Sequence, residues 1–175
     1  GLVFGSGNLF AFNVGDSRVY RFHFERGLER VTLDDSLLER GEGKAGTAMP
    51  FAPSNVITQA LGGRKNFKEI VPNFYDLDEA EEALYLVCSD GLNDMVEDQA
   101  IEEILRDHHP WTNPIEAVRA LLDAALDGGG RDNVSIVIAP YTPNNLQESP
   151  SDVITSNYDE MISSIKNSEE NDLSL

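Results

Sequence analysis

The chain is poor in cysteine, histidine and positive charge. One cysteine in 175 residues, Cys88, excludes an intrachain disulfide. Cys88 lies in an apolar run, where a thiol packs as a small hydrophobe. Its three histidines, His23, His108 and His109, make no zinc-ligand spacing with it. No apolar run reaches membrane-spanning length, and no secretory signal is visible. Thirteen Lys and Arg stand against 31 Asp and Glu, a net charge of -18. Affinity for nucleic acid rests on Lys and Arg neutralising phosphates, so this balance excludes a general nucleic-acid binder. A cytoplasmic protein with no membrane segment is expected, its oligomeric state left open by composition. Most of the acid reads as solvated surface, and the excess also suits divalent cations.

The pattern along the chain is that of an α+β domain. Residues 2–4 and 8–14 are apolar stretches joined by Gly5-Ser6-Gly7, a hairpin signal. Ser17 to Phe24 alternates, placing Tyr20, Phe22 and Phe24 on one face. Leu28 to Leu33 can return as the next strand. Residues 34–56 read as loop, Ile57 to Leu61 as a short apolar piece, and Asn66 to Leu77 as a strand containing Pro72. Leu84 to Cys88 and Val134 to Ala139 read as buried strands. Two helices are expected between them. Residues 97–107 carry Ile101, Ile104 and Leu105 on one face. Residues 114–126 follow the cap Asn113, with Pro114 at the first position and an apolar stripe of Ile115, Val118, Leu121, Leu122 and Ala125. Gly128-Gly129-Gly130 ends this helix. Residues 1–141 are expected to form one domain. Residues 142–175, Ser- and Asn-rich and acidic, read as a poorly ordered tail, with one short helix after Ser156. The chain opens on Gly1-Leu2-Val3-Phe4, already strand-like, as if continuing from an upstream segment.

Three carboxylates stand at strand ends within two residues of a glycine: Asp16 in Gly15-Asp16-Ser17-Arg18, Asp90 in Ser89-Asp90-Gly91, and Asp132 in Gly129-Gly130-Arg131-Asp132-Asn133. A carboxylate is costly to bury without a positive partner. If neighbouring strand ends align, the three converge, and a hard divalent cation relieves their repulsion. Taken singly, each of these aspartates is more often just part of a turn. Ser89 lacks a Gly-x-Ser-x-Gly elbow and reads as a hydroxyl capping its turn. Arg18 and Arg131 can contact phosphate, but an Arg beside an Asp more often orients that Asp by ion pairing.

Five segments, in order, then point to a family. Phe12 to Tyr20 resembles "NxGDSRxY", and Val31 to Ser36 resembles "LTxDHS" with Asp35 in place of His. Val56 to Gly63 resembles "ITRALG" with Gln59 in place of Arg. Cys88 to Asp94 resembles "SDGLTD", and Gly129 to Ser135 resembles "GGxDNIT". Over residues 1 to about 141 the chain thus resembles the metal-dependent serine/threonine protein phosphatases of the PP2C (PPM) family, bacterial type.

The resemblance implies two antiparallel β-sheets in a sandwich flanked by helices, with residues 37–55 as a short flap beside a cleft. It implies that Asp90 and Asp132 are ligands of a two-metal Mn2+ or Mg2+ centre, with Asp16 at a further, weaker site. Asn133, Gly91 and Arg18 would support these ligands from behind. No side chain acts as nucleophile; a water between the metals attacks the phosphorus of a phosphoserine or phosphothreonine in a phosphorylated protein substrate. The family's N-terminal Arg, Glu and Asp-Gly have no counterpart ahead of Gly1. The fold is therefore expected to be incomplete at its N-terminus by about one hundred residues, from usual domain size. Such a chain alone is expected to bind metal weakly and not to turn over. Two rival readings are a pseudophosphatase or phosphoprotein-binding module without catalysis, and a Ca2+-responsive acidic domain. The latter lacks the Asp-x-Asp-x-Asp-Gly pattern.

Overall fold

The computed structural model describes residues 1–5, 8–36, 57–62, 69–78 and 80–143. All but the last of these belong to one unit, Gly1–Thr142. The flap expected at 37–55, the helix after Ser156 and nearly all of the acidic tail lie outside the described residues.

Among the described residues, two antiparallel sheets form the unit. The first has the order β1-β2-β5, with β1 (Leu2–Gly5), β2 (Asn8–Asn13) and β5 (Asn73–Asp76). The second has the order β4-β3-β6-β7, with β3 (Arg18–His23), β4 (Gly27–Arg30), β6 (Ala83–Cys88) and β7 (Ile136–Tyr141). Three helices are seen among the described residues: α1 (Asp90–Asn93), α2 (Asp98–Asp107) and α3 (Pro114–Asp127).

Strand period explains the layers. Successive side chains point to opposite faces. On β6, Tyr85 packs with Leu9 and Ala11 between the sheets, while Leu84, Leu86 and Cys88 pack with Ile101, Leu105 and Leu121 against the helices. A strand buried on both faces needs an unbroken apolar run, and Ala83 to Cys88 is one. On β3, Val19 faces the first sheet, and Tyr20 and Phe22, both fully buried, face the helices. The α+β class read from the sequence pattern and the two antiparallel sheets implied by the family resemblance are the fold observed.

Several details differ. Among the described residues β7 lies at the edge of its sheet; Val137 is exposed, and the strand expected to be buried is half-buried. The strand expected over Asn66–Leu77 is, among the described residues, only β5; Pro72 has no N–H to donate to a ladder. α3 starts as expected, with Asn113 Oδ1 accepting from the Glu116 N–H and Pro114 at the first turn. Its buried stripe is Ala117, Leu121 and Ala125, while Ile115 and Leu122 are exposed. Small alanines let the helix approach the core, and the larger apolar residues lie round the far side. The strand expected over Leu28–Leu33 ends at Arg30; Thr32 beyond it is buried, as are Asp34, Asp35 and Ser36 at the start of the expected loop.

Candidate functional site

Strand register gathers the aspartates. Arg18 of β3 pairs with Cys88 of β6, and Cys88 pairs with Ile136 of β7. The pairs are antiparallel, so the chain before β3, after β6 and before β7 all leave the sheet at one end. Asp16 lies two residues before Arg18, Asp90 two after Cys88, and Asp132 four before Ile136.

Each aspartate is held locally. Asp16 follows Gly15, whose φ of +96° is the left-handed conformation that favours glycine. Asp90 opens α1, and its Oδ1 accepts from the Gly91 N–H at 2.9 Å. Asp132 Oδ1 accepts from the Asn133 N–H at 2.7 Å. The Asp90 and Asp132 segments touch: a Cβ on Gly91 would lie 2.4 Å from the Asn133 carbonyl oxygen. Gly91 is therefore the residue that lets the two segments meet. Ser89 fastens them. Its Oγ donates to the Asn133 carbonyl and accepts from the Ser135 N–H, both at 3.0 Å, and its N–H donates to the Ser135 carbonyl at 3.0 Å. The turn-capping role expected of Ser89 is corrected, since its side chain makes no cap bond on α1. Its hydroxyl ties two strand ends together instead.

Electrostatics unite Asp16 and Asp90. Burial pushes the Asp16 carboxyl above its ordinary range, and the Asp90 carboxylate pushes it further, followed by Asp34 and Asp94. Asp94 was missed as a candidate in the sequence, although its spacing from Asp90 puts both on one face of a helical turn. Its N–H donates to the Asp90 carbonyl at 2.8 Å.

Arg18 does not orient Asp16. Its guanidinium forks onto Asp34, with Nε at 3.1 Å from Oδ1 and Nη2 at 2.8 Å from Oδ2. Its Nη1 donates to the Tyr20 hydroxyl at 3.0 Å, which donates to Asp98 Oδ1 at 2.9 Å. Asp34 outcompetes Asp16 because it is less exposed and meets both edges of the fork. Arg131 is exposed.

Among the described residues, no cation pairs with Asp16, Asp90, Asp94 or Asp132. The donors are oxygens. Burial pushes the Cys88 thiol up to about 12, so no thiolate competes. This chemistry suits Mg2+ or Mn2+. Among the described residues no three carboxylate, imidazole or thiol groups come close enough together to hold an ion. The donor type fits a hard cation. A groove of about 740 Å3, lined by His23, Phe24, Arg26, Glu81 and Trp111 among others, holds none of these aspartates.

No family model matches the chain. Relatives do. The serine/threonine protein phosphatase PstP of Mycobacterium tuberculosis is 32% identical over 142 residues, covering 79% of this chain and 26% of that protein. The serine/threonine phosphatase stp of Listeria monocytogenes is 33% identical over 132 residues, covering 72% of this chain and 49% of that one. The catalytic domain of PstP, solved in complex with two manganese ions, superposes with a TM-score of 0.57 at 30% identity, over 81% of this chain and 57% of that domain. The chain belongs to the PP2C (PPM) phosphatase family. It spans half or less of the length of these curated relatives. Within this PP2C chain, no helix of the described residues is long and apolar enough to cross a membrane.

Proposed function

We propose that the protein containing this chain is a divalent-cation-dependent phosphatase acting on phosphoserine and phosphothreonine in proteins. The observation that carries this reading is the gathering of Asp16 and Asp90 at one end of the second sheet, where the Asp90 carboxylate raises the cost of charging Asp16. The likeness to a phosphatase domain solved with two manganese ions supports it.

Asp16, Asp90 and Asp132 would hold Mn2+ or Mg2+. A divalent cation there supplies charge neutralisation for phosphate oxygens and a more acidic water. The remaining roles belong to the chain. Gly91 and Ser89 keep the Asp90 and Asp132 segments in contact. Asn133, through its N–H, holds the Asp132 carboxylate. Ser89 is committed to backbone partners, and Cys88 is buried and protonated, so neither serves as nucleophile. Arg18, engaged by Asp34, supports the sheet end and does not contact phosphate.

The second reading, a phosphoprotein-binding module without catalysis, draws on the absence of a three-ligand cluster among the described residues. Phosphate release from a phosphothreonine peptide, measured with Mn2+ and with a chelator, separates the two. Release with Mn2+ alone is expected. Peptide binding without release under either condition would favour the module.

A further inference from the structure

Behind the Gly15–Asp16 turn lies a buried carboxylate that the reaction chemistry above does not use. Asp35 is 1% exposed. Its Oδ2 accepts from the Gly15 N–H at 2.9 Å, and its own N–H donates to the Gly15 carbonyl at 2.9 Å. Both peptide groups of Gly15 are thus gripped by one residue, 20 positions along the chain. Gly15 is also where the backbone takes its left-handed φ, immediately before Asp16.

Asp35 is itself held. Asn73 Nδ2 donates to its Oδ1 at 2.9 Å, and Gln59 Nε2 to its Oδ2 at 3.1 Å. Gln59 is anchored in turn, since its Oε1 accepts from the Val71 N–H at 2.9 Å and its Nε2 donates to the Val71 carbonyl at 3.1 Å. Asn13, at the end of β2, donates to the carbonyls of Gly15 and Leu33 and accepts from Asn73. The turn is therefore tied to β2, to β5 and to residues 57–59. Asp35 and Gln59, two positions at which the sequence departs from the polar residues of the PP2C pattern in its middle motifs, are in contact. A Gln amide can donate to the Asp while staying neutral, so the Asp oxygen stays available for the Gly15 N–H. A guanidinium at position 59 would bind the carboxylate more strongly and compete for that oxygen.

We propose that Asp35 is a positioning residue: its carboxylate, steadied by Gln59, sets the backbone of the Gly15–Asp16 turn and so the place of the Asp16 carboxylate. This rests on the reading of Asp16 as a cation ligand, but the contact with Gly15 is independent of that reading. Side chains that order a ligand from behind commonly change metal affinity ten- to a hundredfold, roughly, when removed.

The test compares Asp35→Asn, Gln59→Arg and the control Thr32→Val in the 175-residue chain. Thr32 is buried and its Oγ1 accepts from the Val19 N–H, so the control removes a buried bond away from the turn. Two readouts are needed: the chemical shift and hydrogen exchange of the Gly15 amide, and Mn2+ affinity by calorimetry. The proposal expects Asp35→Asn and Gln59→Arg to speed Gly15 exchange about tenfold or more, as for loss of a hydrogen bond to a charged group, and to move its proton upfield. It expects Mn2+ affinity to fall about tenfold in both, and neither quantity to move in Thr32→Val, which also loses a buried hydrogen bond. An unchanged Gly15 amide in Asp35→Asn overturns the proposal, as does an equal change in the control. If no variant binds Mn2+ even at millimolar metal, wild type included, the cation reading fails for this chain alone, while the amide data still decide the role of Asp35.

Discussion

Replacing Gly91 by alanine perturbs the contact on which the site depends. The new Cβ would lie 2.4 Å from the Asn133 carbonyl oxygen, 2.9 Å from its carbon and 3.3 Å from the Val134 nitrogen. Ordinary contact begins near 3.5 Å, so the two segments must part by about 1 Å. The neighbour cannot give easily, because the Asn133 carbonyl is held by Ser89 Oγ and Ser135 is bonded to Ser89 twice. Overpacking costs about 1–3 kcal/mol, and stretching one or two of these bonds adds about 1 kcal/mol. Alanine's better helix propensity in α1 returns about 1 kcal/mol. The net loss is then about 1–3 kcal/mol, read by urea unfolding. Separation of Asp90 from Asp132 should also weaken Mn2+ binding in calorimetry by about tenfold, the lower end for disturbing a ligand's support. A variant within about 0.5 kcal/mol of wild type, with unchanged Mn2+ affinity, would refute the reasoning.

Three further outcomes are expected. Arg18→Met leaves Asp34, whose side chain is 11% exposed, without its fork, while Arg30 remains 3.9 Å away. Breaking a buried pair costs about 3–5 kcal/mol, and the residual exposure and Arg30 lower this to about 2–3 kcal/mol in urea unfolding. Recovery of less than half of that loss in Arg18→Met/Asp34→Asn would contradict the assignment. Asp16 has its pKa raised above 3.8 in the folded chain, so the folded state binds the proton more tightly. Its charge therefore opposes folding at neutral pH, and this penalty fades as pH falls through the folded-state pKa and is gone below the unfolded value. Asp16→Asn should stabilise the metal-free chain at pH 7 by less than about 1 kcal/mol, since the group is partly solvated, and lose that advantage on acidification. A gain that grows on acidification would reverse the sign of the argument. Asp90→Asn and Asp132→Asn, made in the longer protein, should each abolish most Mn2+-dependent phosphopeptide turnover while far-UV circular dichroism stays unchanged.

The fold was legible where burial leaves a periodic mark. The apolar run of β6, the alternation of β3 and the Asn113-Pro114 start of α3 each follow from local rules. The stripe of α3 was misread because Ala117 and Ala125 pack by being small, and hydropathy favours Ile115 and Leu122 instead. Three aspartates at strand ends were visible, but which of them share a field depends on register, and register is a tertiary property. Asp94 was readable from its spacing to Asp90. The Arg18 fork onto Asp34 and the Asp35 web were not readable. Their partners lie 16 to 38 positions apart and meet only because β2, β3 and β5 bring them together. Residues 32–36 carry no apolar signal for their burial, which hydrogen bonding makes tolerable.

The central claim is that the end of the second sheet holds a divalent cation between Asp16 and Asp90. Anomalous scattering from crystals soaked in Mn2+ tests this most directly. The account predicts a manganese peak within about 2.6 Å of carboxylate oxygens of Asp90 and Asp16, directly or through one water, and its loss in crystals of Asp90→Asn. A strong peak elsewhere, or none beside an ordered Asp90 at saturating Mn2+, would contradict it.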